Sequence, residues 1–263
     1  MEKYLWELII TTFIIHLVDT LSYAVRLNSV RSGQFALSVS LFNVFVLLSR
    51  TANTLQGPFI GGLIGASKIS GIDPVQAIRQ VIFASTIGTL AGIVLIPTFL
   101  SIFAKAVEKL EVTGSVPNLV LQSLSKNNIK RIVKSTTAPT SQMLINLRYR
   151  EIPKRLLLFN TLITGVYTIG VLAAFYAATL VDERFALAAS ASSGLINGVA
   201  SILLTLFIDP TAAIITDQAY RGNRPVEDIK ALVVLLIGTK VLGTLLGQIL
   251  FLPAAQIIAA FYR

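Results

Sequence analysis

Apolar residues in this chain fall in long runs. The runs cover residues 4–25, 34–64, 76–104, 155–181, 185–216 and 230–260. Each exceeds the roughly 18 residues that mark a crossing of the bilayer core. They predict an all-α polytopic membrane protein with six transmembrane helices. Strands of a membrane barrel would alternate polar and apolar residues over about ten positions, and no stretch of the chain does so. The second and fifth runs are longer than a straight span needs. They carry Gly57-Pro58 and Asp209-Pro210 near their ends, where kinks or discontinuous helices are expected.

The chain also resembles itself at a shift near 150 residues. Phe35-Ala36-Leu37 returns as Phe185-Ala186-Leu187, and Pro74-Val75-x-x-Ile78-Arg79 as Pro225-Val226-x-x-Ile229-Lys230. Ile87-Gly88-Thr89 returns as Ile237-Gly238-Thr239. Ordered matches at nearly one offset point to a duplication. Residues 1–104 and 155–263 form two three-helix units on this reading, joined by 105–154. A unit with an odd number of spans enters the membrane from the opposite side to its copy, so two inverted repeats are expected. That architecture recurs in secondary transporters, with the site near the midplane between the copies. Duplication also builds channels and scaffolds, so the repeat favours transport without proving it.

Charge orients these units. Arg26, Arg31, the basic residues from Lys105 to Arg155, Arg221, Arg224 and Lys230 fall on one side. Lys3, Lys68, Arg79, Arg184 and Arg263 fall on the other. The heavier side is expected to be cytoplasmic, which puts both termini outside. Within the central segment, residues 119–134 mix Leu121, Leu124, Ile129 and Ile132 with Lys126, Lys130, Arg131 and Lys134. Such a stretch suits an interfacial helix on anionic lipid, or a surface that collects a lipid-linked anion. Pro139 and Pro153 punctuate the return to the fourth span.

Composition agrees: 54% of residues are hydrophobic and 13% charged, with mean hydropathy +0.75, whereas soluble domains are about a quarter charged. A net charge of +9 could suit nucleic acid, but in so apolar a chain basic loops against anionic lipid explain it better. There is no cysteine and a single histidine, which excludes thiol chemistry and a His-pair metal motif. No cofactor or metal is expected. The first run contains Glu7, His16 and Asp19 and lacks a small-x-small cleavage pattern, so it reads as a retained helix.

Polar residues inside the runs carry the functional signal. Arg50 lies deep within its run, where an arginine costs roughly 2.5–3.5 kcal/mol and has no short route to either surface. Asn43, Arg50, Asn53, Gly57 and Gly61 share its helical face. In the first run Thr12, His16, Asp19, Tyr23 and Arg26 recur at three- and four-residue spacings and form one stripe. His16 and Asp19 can hydrogen-bond one turn apart, as a structural or a proton-coupling pair, and Asp19 can also pair with Arg50. The fourth run offers Asn160, Thr164 and Tyr167. The fifth offers Ser193, Asn197, Ser201, Thr205 and Asp209, with Asp209 before Pro210 also reading as a helix start. Lys240 precedes Gly243-x-x-x-Gly247, a small-residue packing face, and could snorkel. Polarity concentrates in the first two helices, which predicts a cationic cavity there.

Two stretches resemble a known family. His16-Leu17-Val18-Asp19-Thr20-Leu21-Ser22-Tyr23-Ala24-Val25-Arg26 is one, and Ser40-Leu41-Phe42-Asn43 followed by Ser49-Arg50-Thr51-Ala52-Asn53 is the other. Both are similar to the Amj-type alternate lipid II flippases of bacteria, as are the length, the six spans and the basic middle loop. The resemblance is most specific over residues 16–61. It implies a cytoplasmic-membrane protein that moves lipid II, the undecaprenyl-diphosphate-linked peptidoglycan precursor, from the inner to the outer leaflet. Arg50 and Arg26 would meet the diphosphate, and Asn43 and Asn53 its oxygens. Six helices make a small enclosure for that headgroup, which a homodimer or a lateral groove would relieve.

Three other readings compete. A proton-coupled or small-anion secondary transporter would use His16 and Asp19. An enzyme acting on polyprenyl phosphates would need clustered carboxylates with metal, or a nucleophilic histidine among basic partners, and His16 stands in no such cluster. A scaffold without transport would make Arg50 purely structural.

Overall fold

The computed structural model describes residues 1–116, 118 and 147–262. The stretch 119–134, expected as an interfacial helix, lies outside the described residues. Helices α1 (Glu2–Ser32), α2 (Phe35–Ser70) and α3 (Val75–Thr113) are followed by a 3-10 turn at Tyr149–Glu151. Then come α4 (Lys154–Ala177), α5 (Glu183–Leu203), α6 (Asp209–Tyr220) and α7 (Val226–Phe261). A five-residue π-helical turn, Leu204–Ile208, joins α5 to α6. The joined pair and the other five helices make six segments long and apolar enough to cross a membrane.

The first three helices end on glycines in the left-handed region, Gly33, Gly71 and Gly114, where a side chain would be strained. Asp182 caps α5 by accepting the Arg184 backbone N–H. Of the kink or discontinuity expected at Gly57-Pro58, the discontinuity does not occur, since α2 runs unbroken through Pro58. A proline removes one backbone hydrogen bond, and the long flanking turns retain the rest. At Asp209-Pro210 the irregularity is the π turn. Asp209 does not act as a helix cap; Ile208 holds that position, and the Asp209 carboxylate is engaged elsewhere.

Within each trio the first helix is central. α1 packs along both α2 and α3, which scarcely touch each other. α4 packs in the same way along α5 and α7, and those two again scarcely touch. The trios meet mainly through α3 against α7 and α1 against α7. Leu8, near the start of α1, shares a core with Ile169 to Ala177 at the end of α4, whereas Leu27 shares one with Leu156 at its start. α1 and α4 therefore run in opposite directions.

Small residues bring the third helix of each trio against the first. A Cβ on Gly88 would clash with the Phe13 carbonyl oxygen, and one on Gly243 would sit 2.7 Å from that of Thr161. Both contacts are with backbone, so neither can relax by turning a side chain. Gly88→Ala is expected to destabilise the fold by about 1–3 kcal/mol through overpacking. Gly57→Ala, whose Cβ would meet nothing within 4 Å, should be harmless. Thermal unfolding of the two variants in detergent checks this; equal midpoints would refute the close-packing account.

Candidate functional site: an ionised cavity between the two trios

A cavity of about 380 Å³ opens where α1 and α2 face α4, α5, α6 and α7. α1 supplies His16, Asp19, Ser22, Tyr23 and Arg26, so four of the five stripe residues form one wall and Thr12 lies outside it. α2 supplies Phe42, Asn43, Val46, Ser49 and Arg50. Thr164 and Tyr167 come from α4, Ser201 from α5, and Thr205 from the π turn. Asp209 and Lys240 close the far side.

Two ion pairs cross the cavity between the trios. An Arg26 Nη donates to Asp209 Oδ1 at 3.0 Å. Lys240 Nζ lies 3.5 Å from an Asp19 carboxylate oxygen. The cations are deep, with Lys240 and Arg26 side chains 4% and 13% exposed, whereas Asp19 and Asp209 are 28% and 39% exposed. Tyr23 lies beside both pairs: Arg26 Cζ is 5.6 Å and Lys240 Nζ 5.7 Å from its ring centroid. Its hydroxyl donates to Asn160 Oδ1 at 3.1 Å. The Asn160 amide in turn donates to the Leu236 carbonyl and to Thr239 Oγ1, so α4 and α7 hold the tyrosine in place. Phe42 adds a second ring 5.7 Å from Arg26.

Arg50 is different. It lines the cavity yet is exposed at its rim. Among the described residues no carboxylate lies within ion-pair distance of it. The pairing of Arg50 with Asp19 is not made, because Lys240 from the other trio takes that carboxylate. Nor does His16 bond to Asp19; its buried Nδ1 has no hydrogen-bond partner. Lys240 does not snorkel to a surface.

The structure thus brings together eight of the residues expected from sequence: His16, Asp19, Tyr23, Arg26, Asn43, Arg50, Asp209 and Lys240. Asn53 stands apart. Its Oδ1 accepts from Asn197 Nδ2 at 3.1 Å, and its own amide donates to Gln56. Gln56 donates to Thr12 Oγ1 at 2.7 Å, so this polar chain links α1, α2 and α5 outside the cavity lining. Phe42, Ser49 and Gln56 escaped the sequence reading. Phe42 and Ser49 lie seven residues, about two turns, apart on one face of α2 beside Arg50, a spacing that could have found them.

Among the described residues no group of three or more His, Asp or Glu is arranged to hold a metal ion. Cations, hydroxyls and aromatic faces line a partly apolar chamber. Such a chamber can hold an anion.

Fold and site together define a multi-pass helical membrane protein with an ionised cavity within the bundle. A family model described as "Amj: Alternate to MurJ" matches residues 11–262, and the chain belongs to this Amj family. It is 41% identical over 248 residues to a Bacillus subtilis (strain 168) protein named Lipid II flippase Amj, an alignment covering 94% of this chain and 92% of that one. No solved structure matches.

Proposed function

We propose that this protein is a lipid flippase for lipid II, carrying its diphosphate-linked headgroup across the cytoplasmic membrane through the cationic cavity. The 41% identical relative bearing that name supports the substrate. The observation that carries the mechanism is Arg50, a cation at the cavity rim to which no described carboxylate is paired. It can meet the diphosphate first, with Arg26 and Lys240 behind it. Charge-assisted bonds to phosphate are strong where water is scarce.

A chamber of about 380 Å³ suits a diphosphate and its nearest sugar better than a whole glycopeptide. The prenyl tail stays in lipid on this reading, and the rest of the head passes through a lateral groove. α2 and α5 have the least buried spans, with Leu47, Leu48, Leu195 and Val199 facing outward; the groove runs between them. Residues 1–104 and 155–263 act as inverted repeats around the cavity, with 105–154 cytoplasmic and both termini outside. The activity is transport and involves no bond-making chemistry.

The modest cavity volume also favours a second reading, a proton-coupled or small-anion transporter. Purified protein in liposomes with labelled lipid II separates the two. Headgroups placed in one leaflet are expected to become accessible from the other only when protein is present. No crossing, even with a pH or ion gradient, together with flux of a small anion, would replace the flippase reading by the second one.

A further inference from the structure

Two carboxylates line a cavity meant for an anion, which at first sight opposes its task. Both are spoken for. Asp19 occupies Lys240 and Asp209 occupies Arg26, each across the boundary between the trios. Of the three cations lining the cavity, Arg50 alone has no such partner among the described residues. His16, 3% exposed with Nδ1 unpartnered, adds a polar atom in the same lining that awaits a ligand.

We propose that Asp19 and Asp209 are specificity-determining counter-anions, which a ligand must displace from Lys240 and Arg26 to bind. The inference rests on the flippase reading and names what selects the substrate. A single phosphate can displace one carboxylate and leaves the other pair closed. A diphosphate linked through ester bonds carries a charge on each phosphate, and once the first exchange is made the second is intramolecular. Tyr23, which contacts both cations, keeps the two exchange points beside one ring. Selectivity for two adjacent charges follows, because each carboxylate competes against every ligand but only a diphosphate displaces both.

The same carboxylates serve release. Three unopposed cations in a partly buried chamber would hold a diphosphate too long for turnover. A transport site must bind well enough to load and weakly enough to unload. Returning to Lys240 and Arg26, the carboxylates drive the ligand out and leave only Arg50 unpaired among the cations lining the cavity.

The test compares wild type with Asp19→Asn and Asp209→Asn, which keep side-chain shape and remove charge. Each protein in nanodiscs is titrated with lipid II, undecaprenyl monophosphate and inorganic diphosphate, and lipid II crossing is measured in liposomes. Each variant is expected to bind lipid II on the order of tenfold tighter. Its preference for lipid II over the monophosphate narrows, and crossing slows as release becomes limiting. Weaker binding of lipid II in both variants, or an unchanged preference, would overturn the exchange while leaving the flippase reading intact. Absence of wild-type binding to lipid II would overturn that reading and the exchange with it. Inorganic diphosphate binding as tightly as lipid II would make the ligand a free anion and remove the lipid assignment. Should Asp19→Asn fail to fold, Asp209→Asn decides alone, since its carboxylate lies at the more exposed pair.

Discussion

Arg50→Ala is expected to lower lipid II crossing in liposomes by roughly tenfold to a hundredfold, the range for truncating a charge that binds a desolvated partner. Thermal stability should hardly change. The guanidinium makes no ion pair or hydrogen bond among the described residues, so its removal leaves no group orphaned. Its backbone serves the α2 ladder and its carbonyl also accepts from Thr54 Oγ1, and alanine keeps both. Arg50→Lys should fall between the two, because an ammonium keeps the charge and loses the fork that grips phosphate oxygens. Wild-type crossing by Arg50→Ala would remove the arginine from the mechanism. A large loss of stability would instead mark it as structural, the role a scaffold would give it.

Lys240→Ala acts through the opposite logic. It strips the counter-cation from Asp19, and an uncompensated charge in a bundle interior is costly. Asp19 is 28% exposed toward the cavity, so solvent there offsets part of the penalty and a loss of about 2 kcal/mol is expected. Adding Asp19→Asn should restore most of the unfolding midpoint, since the orphaned charge is then gone. Lipid II binding should stay weaker than in wild type, because one of the cavity's three cations is missing. A double variant no more stable than Lys240→Ala would show that Lys240 contributes by packing its stem. Full recovery of binding would show that Lys240 does not meet the ligand.

These experiments separate residues that look alike in sequence. Arg50 and Lys240 are both basic residues inside apolar runs, each expensive to place there. The structure gives one an ion pair and leaves the other without one among the described residues, and the expected phenotypes diverge accordingly. Asp19 and Asp209 likewise go beyond their local readings. The first is read from sequence as a partner of His16 or Arg50, and it meets Lys240 instead. The second does begin a helix, as its place before Pro210 suggests, and its carboxylate also binds Arg26 on the opposite trio.

Much of the molecule was legible because it depends on local pattern. Hydrophobic run length determined six spanning segments, since the bilayer core sets how many apolar residues a helix needs. The three- and four-residue spacing of His16, Asp19, Tyr23 and Arg26 put them on one wall, as helical geometry dictates. The Gly243-x-x-x-Gly247 face was likewise readable, because a contact without side chains requires small residues at one-turn intervals. The unbroken helix at Pro58 shows where local signals stop: a proline disfavours helix at one position, and the surrounding turns outweighed it.

Tertiary structure alone decided the partners. Asp19 meets Lys240 and Arg26 meets Asp209 because α1 lies against the second trio, and no spacing within a helix records that. The exclusion of Asn53 from the cavity was likewise invisible, since it depends on Asn197 of α5 supplying a partner. Hydropathy and periodicity are sums over adjacent residues, so a chain displays them openly. Which cation neutralises which carboxylate is a matter of distance between helices remote in sequence, and only the packed bundle sets those distances.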